Sequence, residues 1–167
     1  YKYWKVSNHM STLSVDTIQG QTTAANVKLP AGCILQTVQG STDSVMTSAS
    51  TSYADTGLTA TITPKYSSSK ILVRVHQHYR FDRYGFSIKI MRGSNTVFAP
   101  VNNYMVYCSD SNANMRDFLN YEVLDSPSST SALTYKTQVI LTNSSGVALQ
   151  LQGNDFFSFM TLMEIAQ

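Results

Sequence analysis

The feature that most restricts the fold is a two-residue alternation running through Lys70–Phe81, KILVRVHQHYRF. On an extended chain Ile71, Val73, Val75, Tyr79 and Phe81 fall on one side, and Lys70, Leu72, Arg74, His76, His78 and Arg80 on the other. The same period returns in Leu58, Ala60 and Ile62, which alternate with threonines, and in Phe86, Ile88 and Ile90. No segment carries a convincing helical period. Serine and threonine supply 40 of 167 residues, whereas charged side chains make up only 13%. Hydroxyl side chains compete with helical hydrogen bonding and suit strands and turns. A hydrophobic content of 43% is enough to build a core, which argues against disorder. An all-helical fold is all but excluded.

The expected strands are Ile34–Gln39, Thr59–Thr63 with a lead-in from Tyr53, Lys70–Phe81, Tyr84–Met91, Thr96–Ala99, Phe118–Leu124, Leu133–Thr142, Val147–Gln152 and Phe157–Ile165. Arg92-Gly93-Ser94-Asn95 and Asn143-Ser144-Ser145-Gly146 read as hairpin turns. So many alternating faces cannot be buried in one layer, so the expectation is an all-β, antiparallel β-sandwich of jelly-roll type. Ile71, Val73 and Val75 should meet Phe86, Ile88, Ile90, Val139 and Leu141 in its core. The sandwich should span residues 29–167, starting at Leu29. Residues 1–28 have too little to bury and read as an extended arm that pairs with another chain. Met10-Ser11-Thr12-Leu13 looks like a natural start, which would make Tyr1–His9 a leader or an added segment.

Several functions are set aside by what the chain lacks. A formal charge of +2 is too small to advertise nucleic acid as a partner. No apolar run approaches the ~20 residues of a membrane helix, and Tyr1–His9 is not a signal peptide. Cys33 and Cys108 are expected to be reduced thiols. There is no Gly-x-Ser-x-Gly and no phosphate-cradling glycine loop, and both glutamates, Glu122 and Glu164, sit within strands. No enzyme is expected. The glycosylation pattern Asn143-Ser144-Ser145 is read as chance.

Two features are candidates for function. Pro100–Arg116 is long and offers Asn102, Asn103, Tyr104, Tyr107, Asp110, Asn112 and Asn114, with little that would anchor a core. Aromatic faces beside amides suit sugar rings, which present an apolar C–H face and hydroxyls. His76 and His78, two apart, would project from one face of a strand. Two imidazoles are too few for a closed metal site, but three copies about an axis would supply six nitrogens for an octahedral ion. Otherwise no cofactor is expected, and the plainer alternative is a polar, partly basic face toward solvent or a subunit contact.

Several stretches resemble a family of small virion proteins from tailed bacteriophages, especially marine cyanobacterial ones. Met10–Gln19 is similar to the family's opening segment and Leu29-Pro30-Ala31-Gly32-Cys33-Ile34-Leu35-Gln36 to its first strand. The most specific block is Thr51–Pro64, closed by Ser68-Ser69-Lys70-Ile71-Leu72-Val73, and Arg92-Gly93-Ser94 fits as well. The terminal Thr161–Ala166 also resembles the last strand of the trimeric jelly rolls related to C1q and tumour necrosis factor. The resemblance implies a homotrimer in the virion, assembled in the host cytoplasm and joined to other virion proteins by its arm. It implies a tail fibre or receptor-binding knob that engages a host surface glycan, or a decorating or connecting protein of capsid or tail.

Overall fold

The computed structural model describes residues 29–109, 114–143, 149–153 and 156–167. The arm expected at residues 1–28 lies outside them. The chain forms β1 (Ile34–Thr42), β2 (Met46–Ser48), β3 (Ala54–Ile62), β4 (Lys70–Phe81), β5 (Tyr84–Arg92), β6 (Asn95–Phe98), β7 (Val106–Cys108), β8 (Met115–Asp125), β9 (Leu133–Leu141), β10 (Leu149–Leu151) and β11 (Ser158–Ile165). The described residues contain no helix. All strand pairs are antiparallel, and two sheets pack face to face as a β-sandwich.

The alternating strand β4 organises the first sheet. β8 runs along one edge of it from Ile71 to Phe81, while β11 and then β10 share the other. β1 extends the sheet beyond β11, and β2 extends it beyond β10. The second sheet has the order β3-β9-β5-β6, with β7 on the same edge of β5 as β6. The expected core positions Ile71, Val73, Val75, Phe86, Ile88, Ile90, Val139 and Leu141 are all buried between the sheets.

The core is split in two. Leu58, Ile62, Val73, Val75, Ile90 and Tyr135 belong to one apolar cluster. Tyr79, Phe81, Phe86, Leu141, Leu149 and Leu151 belong to the other. Between them runs a buried polar belt. The Thr56 and Thr137 hydroxyls lie 2.5 Å apart, and Thr137 Oγ1 donates to Gln77 Oε1 at 3.0 Å. Gln77 Nε2 in turn reaches Ser158 Oγ at 3.2 Å, which also accepts the His78 amide at 2.9 Å. Thr56, Gln77, Thr137 and Ser158 are each at most 1% exposed, so these bonds replace water that the four groups have lost.

Glu164 is a buried carboxylate at the end of the sandwich. It accepts Gln36 Nε2 at 2.6 Å and the amides of Lys65 and Tyr66 at 2.8 and 3.3 Å, pinning the β3–β4 loop to β11. β1 crosses close over β3: a Cβ built on Gly40 would stand 1.9 Å from the Thr59 carbonyl oxygen. Only glycine fits there.

The strand pattern departs from expectation in three places. The Ser/Thr-rich stretch before Thr51 contains β2, a short strand that caps the β10 edge. β9 and β10, expected to pair as a hairpin about Asn143-Ser144-Ser145-Gly146, lie in different sheets, and residues 144–148 fall outside the described residues. Leu149 and Leu151 are buried against Tyr79 from the first sheet, and that burial draws the chain across the sandwich. Pro100–Arg116 contains β7, and β8 already begins at Met115.

Candidate functional site

The Pro100–Arg116 segment is anchored rather than free. Ser87 Oγ on β5 donates to the Asn102 carbonyl and accepts the Met105 amide, both at 3.1 Å. β7 then pairs with β5 through Tyr84↔Cys108 and Phe86↔Val106. Val106, Cys108 and Met115 pack against the second apolar cluster, which corrects the expectation that this segment has little to bury. Fixed in this way, Tyr104 and Tyr107 are 55% and 57% exposed, with ring centroids 5.5 Å apart and planes at 70°. The Tyr104 ring rests on Gly85, where a Cβ would come within 2.7 Å of Cδ1. Asn102 Oδ1 accepts the Tyr104 amide at 3.3 Å, and the Asn103 backbone also borders Gly85.

The remaining loop positions separate from the tyrosines. Asn114 heads β8 in the first sheet with a positive φ of 42°, and its Oδ1 accepts Arg80 Nε at 2.8 Å. Asp110 and Asn112 lie outside the described residues. Of the seven loop residues, the structure brings together Tyr104, Tyr107, Asn102 and Asn103, on an edge of the second sheet.

His76 and His78 do share the outer face of β4, but the face is not simply polar. The register places Phe118 opposite His78 and Asn120 opposite His76 across β8, with Phe159 opposite His76 across β11. The His76 ring stacks on Phe118 with centroids 4.2 Å apart, and its Nδ1 meets Asn120 Oδ1. His78 stacks on Phe156 at 4.5 Å and is only 2% exposed. The expectation of a solvent-facing His78 is therefore corrected: Phe156, from the segment before β11, covers it. Burial, reinforced by the Arg116 charge, lowers the His78 pKa from 6.5, so the ring is neutral at pH 7. Its Nδ1 is buried and has no hydrogen-bond partner among the described residues. Arg80 and Arg116 face each other across the same two strands, a like-charge pair at one end of the sheet. No group of three or more His, Cys, Asp or Glu gathers at metal-binding range among the described residues.

The sequence reading missed the aromatic character of this outer face. Phe156 and Phe157 are 44% and 46% exposed, and Phe157 stacks with Phe159. The signal was present in the alternation: Phe118 and Leu124 in β8, and Phe159 and Met163 in β11, occupy outward positions where a wetted sheet carries polar groups. Compared with known proteins, the chain matches no family model and no curated protein.

Proposed function

We propose that the protein is a bacteriophage virion structural protein, a trimeric tail fibre or receptor-binding knob that engages a host surface glycan through Tyr104 and Tyr107. The observation that carries this reading is the pair itself: two exposed phenol rings, edge to face, held on a rigid sheet by β7 and the Ser87 clamp. A pyranose ring would lay its C–H face on one ring while Asn102 and Asn103 meet its hydroxyls. The sheet orders, with β1, β11, β4 and β8 facing β3, β9, β5 and β6, support the jelly-roll form of the sandwich. In this reading residues 1–28 join the protein to its virion neighbours.

The test is adsorption by phage carrying Tyr104→Ala and Tyr107→Ala together, alongside glycan-array binding by the isolated protein. Assembly should be normal and adsorption weakened. Normal adsorption with normal assembly would move the reading to a decorating or connecting role on capsid or tail. The exposed Phe156 and Phe157 favour that second reading, because apolar surface of this kind marks protein contacts.

A further inference from the structure

Lys89 on β5 is a cation that the fold holds in place but does not pair. Phe86, Ile88 and Ile90 face the core, so Gly85, Ser87 and Lys89 succeed one another along the outer face of the second sheet. The Tyr104 ring covers Gly85, and the arch from Asn102 to Met105 is tied down on Ser87. Lys89 is therefore the next outward side chain beyond the arch. Across the sheet it shares a row with Gln138 and Asp55. Asp55 would be its natural partner, but both carboxylate oxygens are taken. Oδ2 accepts Lys136 Nζ at 2.9 Å, and Oδ1 accepts Gln138 Nε2 at 2.6 Å. The Lys89 ammonium stands instead over the Tyr53 ring, 3.9 Å from its centroid. It makes no ion pair or hydrogen bond among the described residues. A ring face orients a cation but accepts none of its three N–H groups in an ordinary hydrogen bond.

We infer that Lys89 is the anion-reading end of the sugar surface, and that the glycan taken by Tyr104 and Tyr107 is an acidic one. The inference rests on the glycan reading proposed above and names its ligand class. Position supports it first. Gly85 and Lys89 lie four residues apart on one strand, roughly 13 Å at the usual rise. A single sugar on the tyrosines would not reach the ammonium, whereas a short oligosaccharide laid past Asn102 and Asn103 would. Charge supports it second. Lys136 neutralises Asp55, so the row keeps the Lys89 charge in surplus and attracts an anion. Preorganisation supports it third. A lysine stem already resting on a ring loses little further freedom when its head is bound. The anionic group is a carboxylate, sulfate or phosphate on the sugar, any of which accepts charge-assisted hydrogen bonds from the ammonium. A neutral glycan would cover Lys89 without replacing the water it displaces, and that penalty makes the site selective.

The experiment is binding to an array of oligosaccharides printed in matched pairs, with circular dichroism as the check on folding. Uronic-acid members stand beside their carboxyl-reduced forms, sulfated members beside their desulfated forms, and phosphorylated members beside their dephosphorylated forms. The unaltered protein should bind the acidic member of a pair about tenfold more tightly, and the pair that responds identifies the anion. Rising sodium chloride should weaken that binding. Lys89→Met, which keeps a stem on Tyr53 without the charge, should bring the two members level, and Lys89→Arg should restore the preference. Tyr104→Ala with Tyr107→Ala should weaken binding to both members. Equal binding of acidic and neutral members by the unaltered protein overturns the acidic ligand and leaves the glycan reading standing. A preference that survives Lys89→Met overturns Lys89 as its reader. No binding to any member overturns the glycan reading and this inference with it. If Lys89→Met loses its β spectrum, salt decides: acidic-member binding by the unaltered protein that is indifferent to sodium chloride overturns the inference.

Discussion

Arg92 at the end of β5 and Asp125 at the end of β8 belong to different sheets, yet Nη1 and Oδ2 stand 2.6 Å apart. The Tyr135 hydroxyl on β9 donates to the same Oδ2 at 2.7 Å. Both charged side chains are mostly buried, at 19% and 13% exposure, so the pair clamps the two layers where water is scarce. Burial, together with the Asp125 carboxylate, raises the Tyr135 pKa far above 10.0 and keeps its proton in that bond.

Removing one partner of this clamp should cost more than a surface ion pair would. Arg92→Ala should destabilise the fold by about 2–4 kcal/mol, because Asp125 is left mostly buried with its charge balanced by no cation and only the Tyr135 hydroxyl bonding it. Tyr135→Phe should cost about 1 kcal/mol. Urea melts of the two variants check the order; equal losses would mean that the ion pair adds nothing beyond the phenol bond.

The buried belt makes a non-additive prediction. Thr137→Val strands Gln77 Oε1 without its donor and the Thr56 hydroxyl proton without its acceptor, while Thr56 Oγ1 keeps only the Leu58 amide, and should cost about 1–3 kcal/mol. Thr56→Val in addition removes one of the stranded groups. The double variant should therefore lose less than the sum of the singles, which a double-mutant cycle measures directly.

Stability should fall in two steps as pH drops. His78 is held neutral in the fold with its pKa below 6.5, so below that pH the unfolded chain binds a proton that the folded one refuses. Its contribution is full above 6.5 and is lost as pH falls toward the folded pKa. Burial alone would raise the Glu164 carboxyl, but hydrogen bonds from Gln36, Lys65 and Tyr66 outweigh it and hold the pKa below 4.5. A second loss follows below 4.5 by the same sign. Denaturant melts across this range check both, and His78→Phe should flatten the upper step alone.

Gly40→Ala should destabilise by at least about 2 kcal/mol, since the obstacle is the Thr59 backbone and not a side chain that can turn away. A thermal melt matching the parent would show that β1 can lift off β3 without loss.

The strand β4 was legible to the residue because a long, fully alternating segment leaves one register and one inner face. β2 and β7 were not, since three residues such as Met46–Ser48 or Val106–Cys108 carry no period. The outward side of His78 was readable, but its burial was not. Phe156 covers it from another part of the chain, and alternation within one strand says nothing about what a distant segment lays over it. The tyrosines of the loop stood out by type; the Ser87 clamp that aims them is a tertiary contact between a strand serine and a backbone 15 residues away.

The belt also solves a problem that the composition creates. Strands built from Thr, Val and Ile at every second position slide easily: a slip of two residues keeps every side chain on its own face and matches aliphatic to aliphatic again. Here β3, β4, β9 and β11 each place one hydroxyl or amide in a common layer: Thr56, Gln77, Thr137 and Ser158. Slipping any one of them by two residues sets an amide or hydroxyl against hydrocarbon and leaves its former neighbours unbonded. Four small polar groups thus tell otherwise interchangeable alignments apart, and they do so without a disulfide or a buried charge.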